Sequence, residues 1–261
     1  MPTVTQIVNQ LSKGEIRQNY ITIRSFKRTQ YNNQDVISEI QSIKPNTVGI
    51  VVDYLTRYKL THDVKQAFEI PLLVDNEFFG AVSELTSKIT TFNKQAIDIA
   101  IDLVKYDTYY RTGINPSETP NHPKLSTEEY NTIAYLINRS TNFIKACVTD
   151  NTLKTDVTFE GAYNEFVTNG DADYMTKDVL IDLKVSKYPP SEAYAMQLLI
   201  YYVMGLNSIN SVDFYKLKYL AIFNPKLNTA YTLPVNEISN ETIHKVEMLL
   251  GYEDPQTSLN L

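Results

Sequence analysis

The sequence predicts an α/β protein: a mainly helical first part, then a small core of strands and helices. Three observations predict it. Apolar residues in the first 150 positions recur at three- and four-residue intervals. After position 157 the pattern shifts to β-branched and aromatic runs and to strict alternation. One segment behind Pro189-Pro190-Ser191 returns to helical spacing between the strands. The chain has 261 residues, 43% hydrophobic and 11% aromatic, which is enough to bury a sizeable core and excludes a disordered chain.

Thr47 to Lys59 carries Val48, Val51, Val52 and Leu55, the stripe of a core-facing helix. Asn93 to Tyr106 repeats it with Ala96, Ile97, Ala100, Ile101 and Val104. Pro116, Pro120 and Pro123 mark Gly113 to Lys124 as a loop. Ser126 with Glu129 forms a capping box that opens a helix through Ile133, Leu136, Ile137 and Ile144. Val157 to Val167 reads as a strand. Gly170 to Met175 and Val179 to Lys187 read as two more around the turn Thr176-Lys177-Asp178. Ser191 is placed to cap a helix from Glu192 to about Leu206. Tyr219 to Phe223 and Ala230 to Val235 are strands joined by residues 224–228, and a last helix spans Asn240 to Leu250 with Gly251 at C′. The expected division is a helical part over 1–156, a core over 157–252 and a tail over 253–261.

Several chemistries are excluded. The eight glycines, at 14, 49, 80, 113, 161, 170, 205 and 251, form neither a GxGxxG loop nor a P-loop, and no GxSxG elbow exists. His62, His122 and His244 make no HExxH pair. One cysteine forms no internal disulfide and no Cys-rich zinc site. No apolar run approaches a membrane span, and residues 1–11 lack a secretory pattern, so the expected compartment is the cytoplasm. Catalysis, if the chain has any, must rest on carboxylates, lysine and an oxygen-ligated metal. A net charge of −6 argues against a broad nucleic-acid coat but leaves room for a local cleft. Lys13, Arg17, Arg24, Lys27 and Arg28 against Glu15 form a basic run, for which a solvated face is the plainer reading than a phosphate track.

The informative stretch runs from Gly170 to Lys184. With the turn centred between Lys177 and Asp178, Asp173 and Asp182 face each other on adjacent strands. Two facing carboxylates repel, so a fold tolerates them when a cation lies between them. Alternation puts Lys184 beside Asp182 on the same face. Hard oxygen ligands suit Mg²⁺ or Mn²⁺, and a nearby lysine can orient water and offset charge on phosphate oxygens. A half-exposed strand with a polar outer face is the plainer alternative. On the next helix Gln197 and Tyr201 share a face, with Tyr194 one turn earlier.

Gly170-x-x-Asp173, Asp182-x-Lys184 and Gln197-x-x-x-Tyr201, in this order over residues 157–235, resemble the PD-(D/E)xK nuclease superfamily. The last motif resembles its RecB-type, lambda-exonuclease-like branch. The resemblance implies a restriction-endonuclease-like core, a mixed central sheet flanked by helices, with a large helical N-terminal elaboration contributing to the active-site cleft. It implies that Asp173, Asp182 and the Leu183 carbonyl bind Mg²⁺ or Mn²⁺, that Lys184 serves the attacking water, and that Gln197 and Tyr201 support the site or the DNA. Family members often carry Gly-x-x-x-His on an earlier helix. Here Gly49-x-x-x-Asp53 stands in the comparable place, so Asp53 is a candidate ligand, or else simply pairs with Arg57, itself a candidate DNA contact. Glu160 is a further carboxylate, read as strand surface. The implied function is metal-dependent hydrolysis of DNA phosphodiester bonds, as an exonuclease or in DNA-end processing. The alternative is a nuclease-fold DNA- or protein-binding scaffold without activity.

Overall fold

The computed structural model describes residues 2–32 and 37–252, which divide into two units. One is formed by Met1–Tyr31 with Ala146–Leu261, the other by Asn32–Lys145. The expected 253–261 tail lies outside the described residues. The first 31 residues belong to the unit that carries the strands, whereas the sequence reading grouped 1–156 together.

The N-terminal segment supplies helices α1 (Val4–Gln10) and α2 (Lys13–Asn19) and strand β1 (Lys27–Gln30). Each short helix opens with a capping box, Thr3 with Gln6 and Ser12 with Glu15. Their apolar residues Val4, Ile7, Val8 and Ile16 join the core of the strand unit. That burial holds helices too short to persist alone. The charged run Lys27–Gln30 gives no strand pattern in the sequence. It is an edge strand, where charge and exposure are tolerated.

The helical unit contains α3 (Pro45–Thr61), α4 (Val64–Ala67), α5 (Glu69–Leu72), α6 (Ala81–Ser87), α7 (Lys94–Thr112) and most of α8 (Thr127–Cys147). The apolar stripes read in the sequence are the buried faces of α3, α7 and α8. The Ser126–Glu129 capping box is present, with Ser126 N donating to Glu129 at 2.8 Å. Buried Glu129 also accepts from the Gln41 and Ser42 amides and the Ser42 hydroxyl, so one carboxylate caps α8 and fastens the segment before α3.

The chain then forms β2 (Leu153–Val157), β3 (Ala172–Thr176), β4 (Val179–Leu183), α9 (Glu192–Leu206), α10 (Ser211–Phe214), β5 (Tyr219–Asn224), β6 (Thr229–Pro234) and α11 (Asn240–Leu249). The strands make one mixed sheet in the order β1-β6-β5-β4-β3-β2. Among the described strands β4 and β5 alone pair in parallel, and α9 is the crossover that parallel neighbours require. Helix α9 is apolar almost all round because β4, β5, α1, α2, α10 and α11 enclose it. Leu180, Leu220, Ile222, Tyr231 and Leu233 belong to the core it shares with the sheet. The end of α11 is a Schellman motif: Gly251 has φ 70°, its N–H bonds Met248 O at 3.2 Å, and Tyr252 N–H bonds Glu247 O at 3.0 Å.

Two strand expectations are corrected. Val157–Val167 is not a strand: β2 ends at Val157, and residues 158–171 form a folded loop. Its Phe159, Ala162 and Val167 are buried in the α9 core, so the aromatic and branched residues serve packing rather than a pleat. Gly161 takes φ 86°, which ends any extended run. Strand β4 stops at Leu183, not Lys187. Asn224 Nδ2 there donates to Ser186 O and Tyr188 O and draws the chain off the sheet.

Candidate active site

The β3–β4 hairpin pairs Tyr174 with Ile181 and Met175 with Leu180. The same register one residue on sets Asp173 opposite Asp182, as the turn position predicts. There the hairpin is continued by a side chain: Leu183 N–H donates to Asp173 Oδ2 at 2.6 Å. An extended residue directs its N–H and C=O to the same edge, so the Leu183 carbonyl faces the side on which Asp173 stands.

Asp182 is 1% exposed, because β4 is a central strand buried along its whole length. Lys184 Nζ donates to Asp182 Oδ1 at 2.9 Å, with its side chain 20% exposed. The same ammonium lies 5.1 Å from the centre of the Tyr194 ring. Burial pushes Lys184 down, but the charges of Asp182 and Asp173 outweigh it and raise its pKa above the ordinary lysine value. Lys184 is therefore not a surface strand residue; it is the cation paired with buried Asp182 and facing half-buried Asp173.

Helix α9 supplies the next layer. Gln197 Nε2 donates to the Tyr201 hydroxyl at 2.8 Å, the i,i+4 contact that the spacing predicts. Burial, then the charges of Asp182, Asp171 and Asp173, raise the Tyr201 pKa far above its usual range, so it stays a neutral phenol. Gly170 has a packing reason beside this residue. A Cβ there would meet Val4 Cγ2 at 2.5 Å and the Tyr201 ring at 3.2 Å. At Gly49 a Cβ would meet nothing within 4 Å among the described residues.

Asp53 and Arg57 lie in α3 of the helical unit, where they form an i,i+4 ion pair. Arg57 is buried, and its guanidinium lies 5.5 Å from the Tyr54 ring centre. Glu160 is exposed in the loop after β2. The structure thus brings Asp173, Asp182, Leu183, Lys184, Gln197 and Tyr201 to one place within the strand unit. Asp53 and Arg57 form an ion pair within the helical unit.

One contact had no sequence signal. Buried Glu192, in the first turn of α9, accepts from Arg17 Nε at 2.9 Å and from Ile23 N at 2.8 Å. The partners are 175 and 169 positions apart, beyond any local pattern. This tie fixes the N-terminal segment against the start of the helix that carries Tyr194, Gln197 and Tyr201.

Among the described residues no group of three or more His, Cys, Asp and Glu side chains forms a metal cage. Two facing carboxylates and a carbonyl fit a hard cation that keeps several waters, the habit of Mg²⁺, and not a fully enclosed ion. No helix among the described residues is long and apolar enough to cross a membrane. Comparison of the chain with family models, with curated proteins and with solved structures finds no match.

Proposed function

We propose that the protein is a metal-dependent nuclease that hydrolyses DNA phosphodiester bonds, with a restriction-endonuclease-like core of the PD-(D/E)xK kind. The observation that carries this reading is Asp173 set opposite the buried Asp182, with Lys184 Nζ 2.9 Å from Asp182. A fold gains nothing in stability from two carboxylates set face to face on strands, and well-packed apolar residues would serve it as well or better. Reactive phosphate chemistry uses that arrangement directly.

Asp173, Asp182 and the Leu183 carbonyl would hold Mg²⁺ or Mn²⁺, which when bound supplies Lewis-acid stabilisation of charge on a phosphoryl oxygen. Lys184 holds a permanent positive charge at the site, since its raised pKa keeps it protonated at neutral pH. It orients the attacking water and offsets the charge that develops on the phosphate oxygens. Tyr194 steadies the ammonium from its ring face, and the Gln197–Tyr201 pair positions the wall of the site. The resemblance to this superfamily implies products with 5′-phosphate and 3′-hydroxyl ends and, through the Gln-x-x-x-Tyr helix, action at DNA ends.

Incubation of the purified protein with linear and closed-circular duplex DNA, with Mg²⁺, with Mn²⁺ and with EDTA, tests the reading. Loss of the linear duplex only when metal is present is the expected result. No hydrolysis of either substrate with either metal overturns it. It would leave a nuclease-fold scaffold as the remaining account.

A further inference from the structure

We infer that Tyr188, at the end of the sheet beside Lys184, is a stacking platform for an unpaired base of the DNA strand, with Lys187 and Lys226 as the cations for its phosphates; this rests on the nuclease reading above. The platform stands where the carboxyl ends of β4 and β5 lie side by side, the end at which open α/β sheets take their ligands. Lys184 N–H bonds Phe223 O at 2.9 Å, so Lys184 is level with Asn224 on the neighbouring strand. Tyr188 follows in the crossover to α9, and the Asn224 side chain reaches its carbonyl. With strands about 4.8 Å apart, Tyr188 lies about 10 Å from the Lys184 backbone. At a rise of about 3.4 Å per nucleotide, a base seated there is roughly three nucleotides from the scissile phosphate.

Asn224 builds the place. It is fully buried, and its amide is used on both sides: Nδ2 donates to Ser186 O at 2.8 Å and Tyr188 O at 3.1 Å, while Oδ1 accepts from Lys226 N at 3.0 Å and Leu227 N at 3.1 Å. One side chain with its donors and acceptor lone pairs all engaged thus locks the crossover loop to the β5–β6 turn. The Tyr188 N–H donates to Ser186 Oγ at 3.0 Å, so both backbone polar groups of Tyr188 are committed. Pro189 and Pro190 follow, fixing φ at two successive positions and favouring extended backbone at Tyr188.

On this rigid backbone the Tyr188 side chain is left 65% exposed. A lone exposed apolar residue is ordinary on a protein surface. A ring held out on a backbone whose N–H and C=O are both bonded is a surface kept ready for a flat partner. Lys187 Nζ lies over one face, 5.3 Å from the ring centre, and the exposure leaves the other face to solvent. Among the described residues no carboxylate pairs with Lys187 or Lys226. At the opposite end of the sheet the lysines are neutralised: Lys154 and Lys216 by Asp213, Lys177 by Asp150 and Lys218 by Asp178. An aromatic ring flanked by unneutralised lysines suits a single strand of any sequence, because every base has a face to stack and every phosphate a charge to meet. The frayed end of a duplex offers such a strand.

The chain contains no tryptophan, so Tyr188→Trp sets a single indole on the platform, and a base stacked on it quenches its fluorescence. Titration in EDTA with a short oligothymidylate, where the metal-dependent reaction does not run, should quench the emission. An abasic strand of equal length, which offers the same phosphates without bases, should not. Tyr215→Trp, at a 71% exposed position before β5 at the other end of the sheet, should respond to neither strand. Tyr188→Ala should weaken oligothymidylate binding about five- to a hundredfold, the scale of one base–aromatic stack, and Tyr188→Phe should restore it. In Mg²⁺ the alanine variant should raise KM for a linear duplex with a single-stranded end by a similar factor. No quenching by oligothymidylate, or equal quenching by the abasic strand, overturns the platform; hydrolysis of DNA by the same protein would leave the nuclease standing. Quenching at Tyr188→Trp, with a wild type that hydrolyses nothing in Mg²⁺ or Mn²⁺, overturns the nuclease reading instead and leaves the platform as a strand-binding surface.

Discussion

Replacing Lys184 by alanine should expose the cost of the carboxylate pair. Asp182 is 1% exposed and its Oδ1 takes the lysine ammonium at 2.9 Å. Asp173, opposite it, adds a second negative charge that the same ammonium offsets. Removing one partner of a buried ion pair costs about 3–5 kcal/mol. The lysine side chain is 20% exposed, so water relieves part of the loss and the lower end, about 3 kcal/mol, is expected. At roughly 2–4 °C per kcal/mol for a chain of this size, the melting temperature in EDTA should fall by about 6–12 °C. A divalent cation restores positive charge between the carboxylates, so millimolar Mg²⁺ or Mn²⁺ should return most of that loss and stabilise the alanine variant more than the wild type. Scanning calorimetry of both proteins, in EDTA and in each metal, measures the difference. An unchanged melting temperature in EDTA, or a deficit that metal leaves intact, would refute the reasoning.

Three further outcomes follow from other contacts. In EDTA, wild-type stability should drop as pH rises through the raised Lys184 pKa. A lysine raised in the folded state contributes stability fully present below its unfolded value and lost above the folded one, and Lys184→Ala should lack that alkaline loss. Glu129 behaves in the opposite sense: burial pushes its carboxyl up, but the donors from Ser126, Ser42 and Gln41 prevail and hold it at about 2. Its contribution is complete above about pH 4.5 and is lost as pH falls towards 2, and Glu129→Gln should cost the helical unit about 2 kcal/mol at neutral pH, read by urea denaturation. Gly170→Ala forces a methyl within 2.5 Å of Val4 and 3.2 Å of the Tyr201 ring, so it should destabilise by about 1–3 kcal/mol and reduce hydrolysis, while Gly49→Ala does neither.

The long helices were legible because their stripes are long and their caps local. Ser126 and Glu129 stand three apart, and α9 begins and ends where the prolines and its apolar run indicate. The hairpin register was legible for the same reason: a two-residue turn leaves Asp173 and Asp182 little freedom. What the sequence hid depends on distant partners. Lys27–Gln30 carries no apolar alternation, and it becomes a strand only because β6 presents an open edge 200 residues later. Phe159 and Val167 look like strand residues because burial in a loop selects the same side chains as a pleat. The Arg17–Glu192 tie and the close approach of Val4 to Gly170 arise from the N-terminal segment crossing onto α9, which no local spacing announces. Lys184 was placed on the right face, but its burial was not visible, since alternation cannot tell an exposed polar face from one covered by a helix.

In the proposed nuclease Lys184 acts on the phosphate and does not merely neutralise Asp182. Single-turnover hydrolysis of a labelled linear duplex in saturating Mg²⁺, at a temperature where both proteins are folded, measures it directly for the wild type and Lys184→Ala. A fall of roughly a hundredfold or more in the rate is predicted, the scale of one well-placed electrostatic or proton-transfer group, with DNA affinity largely retained. Wild-type rates in the alanine variant would contradict the proposed site even if the protein cuts DNA.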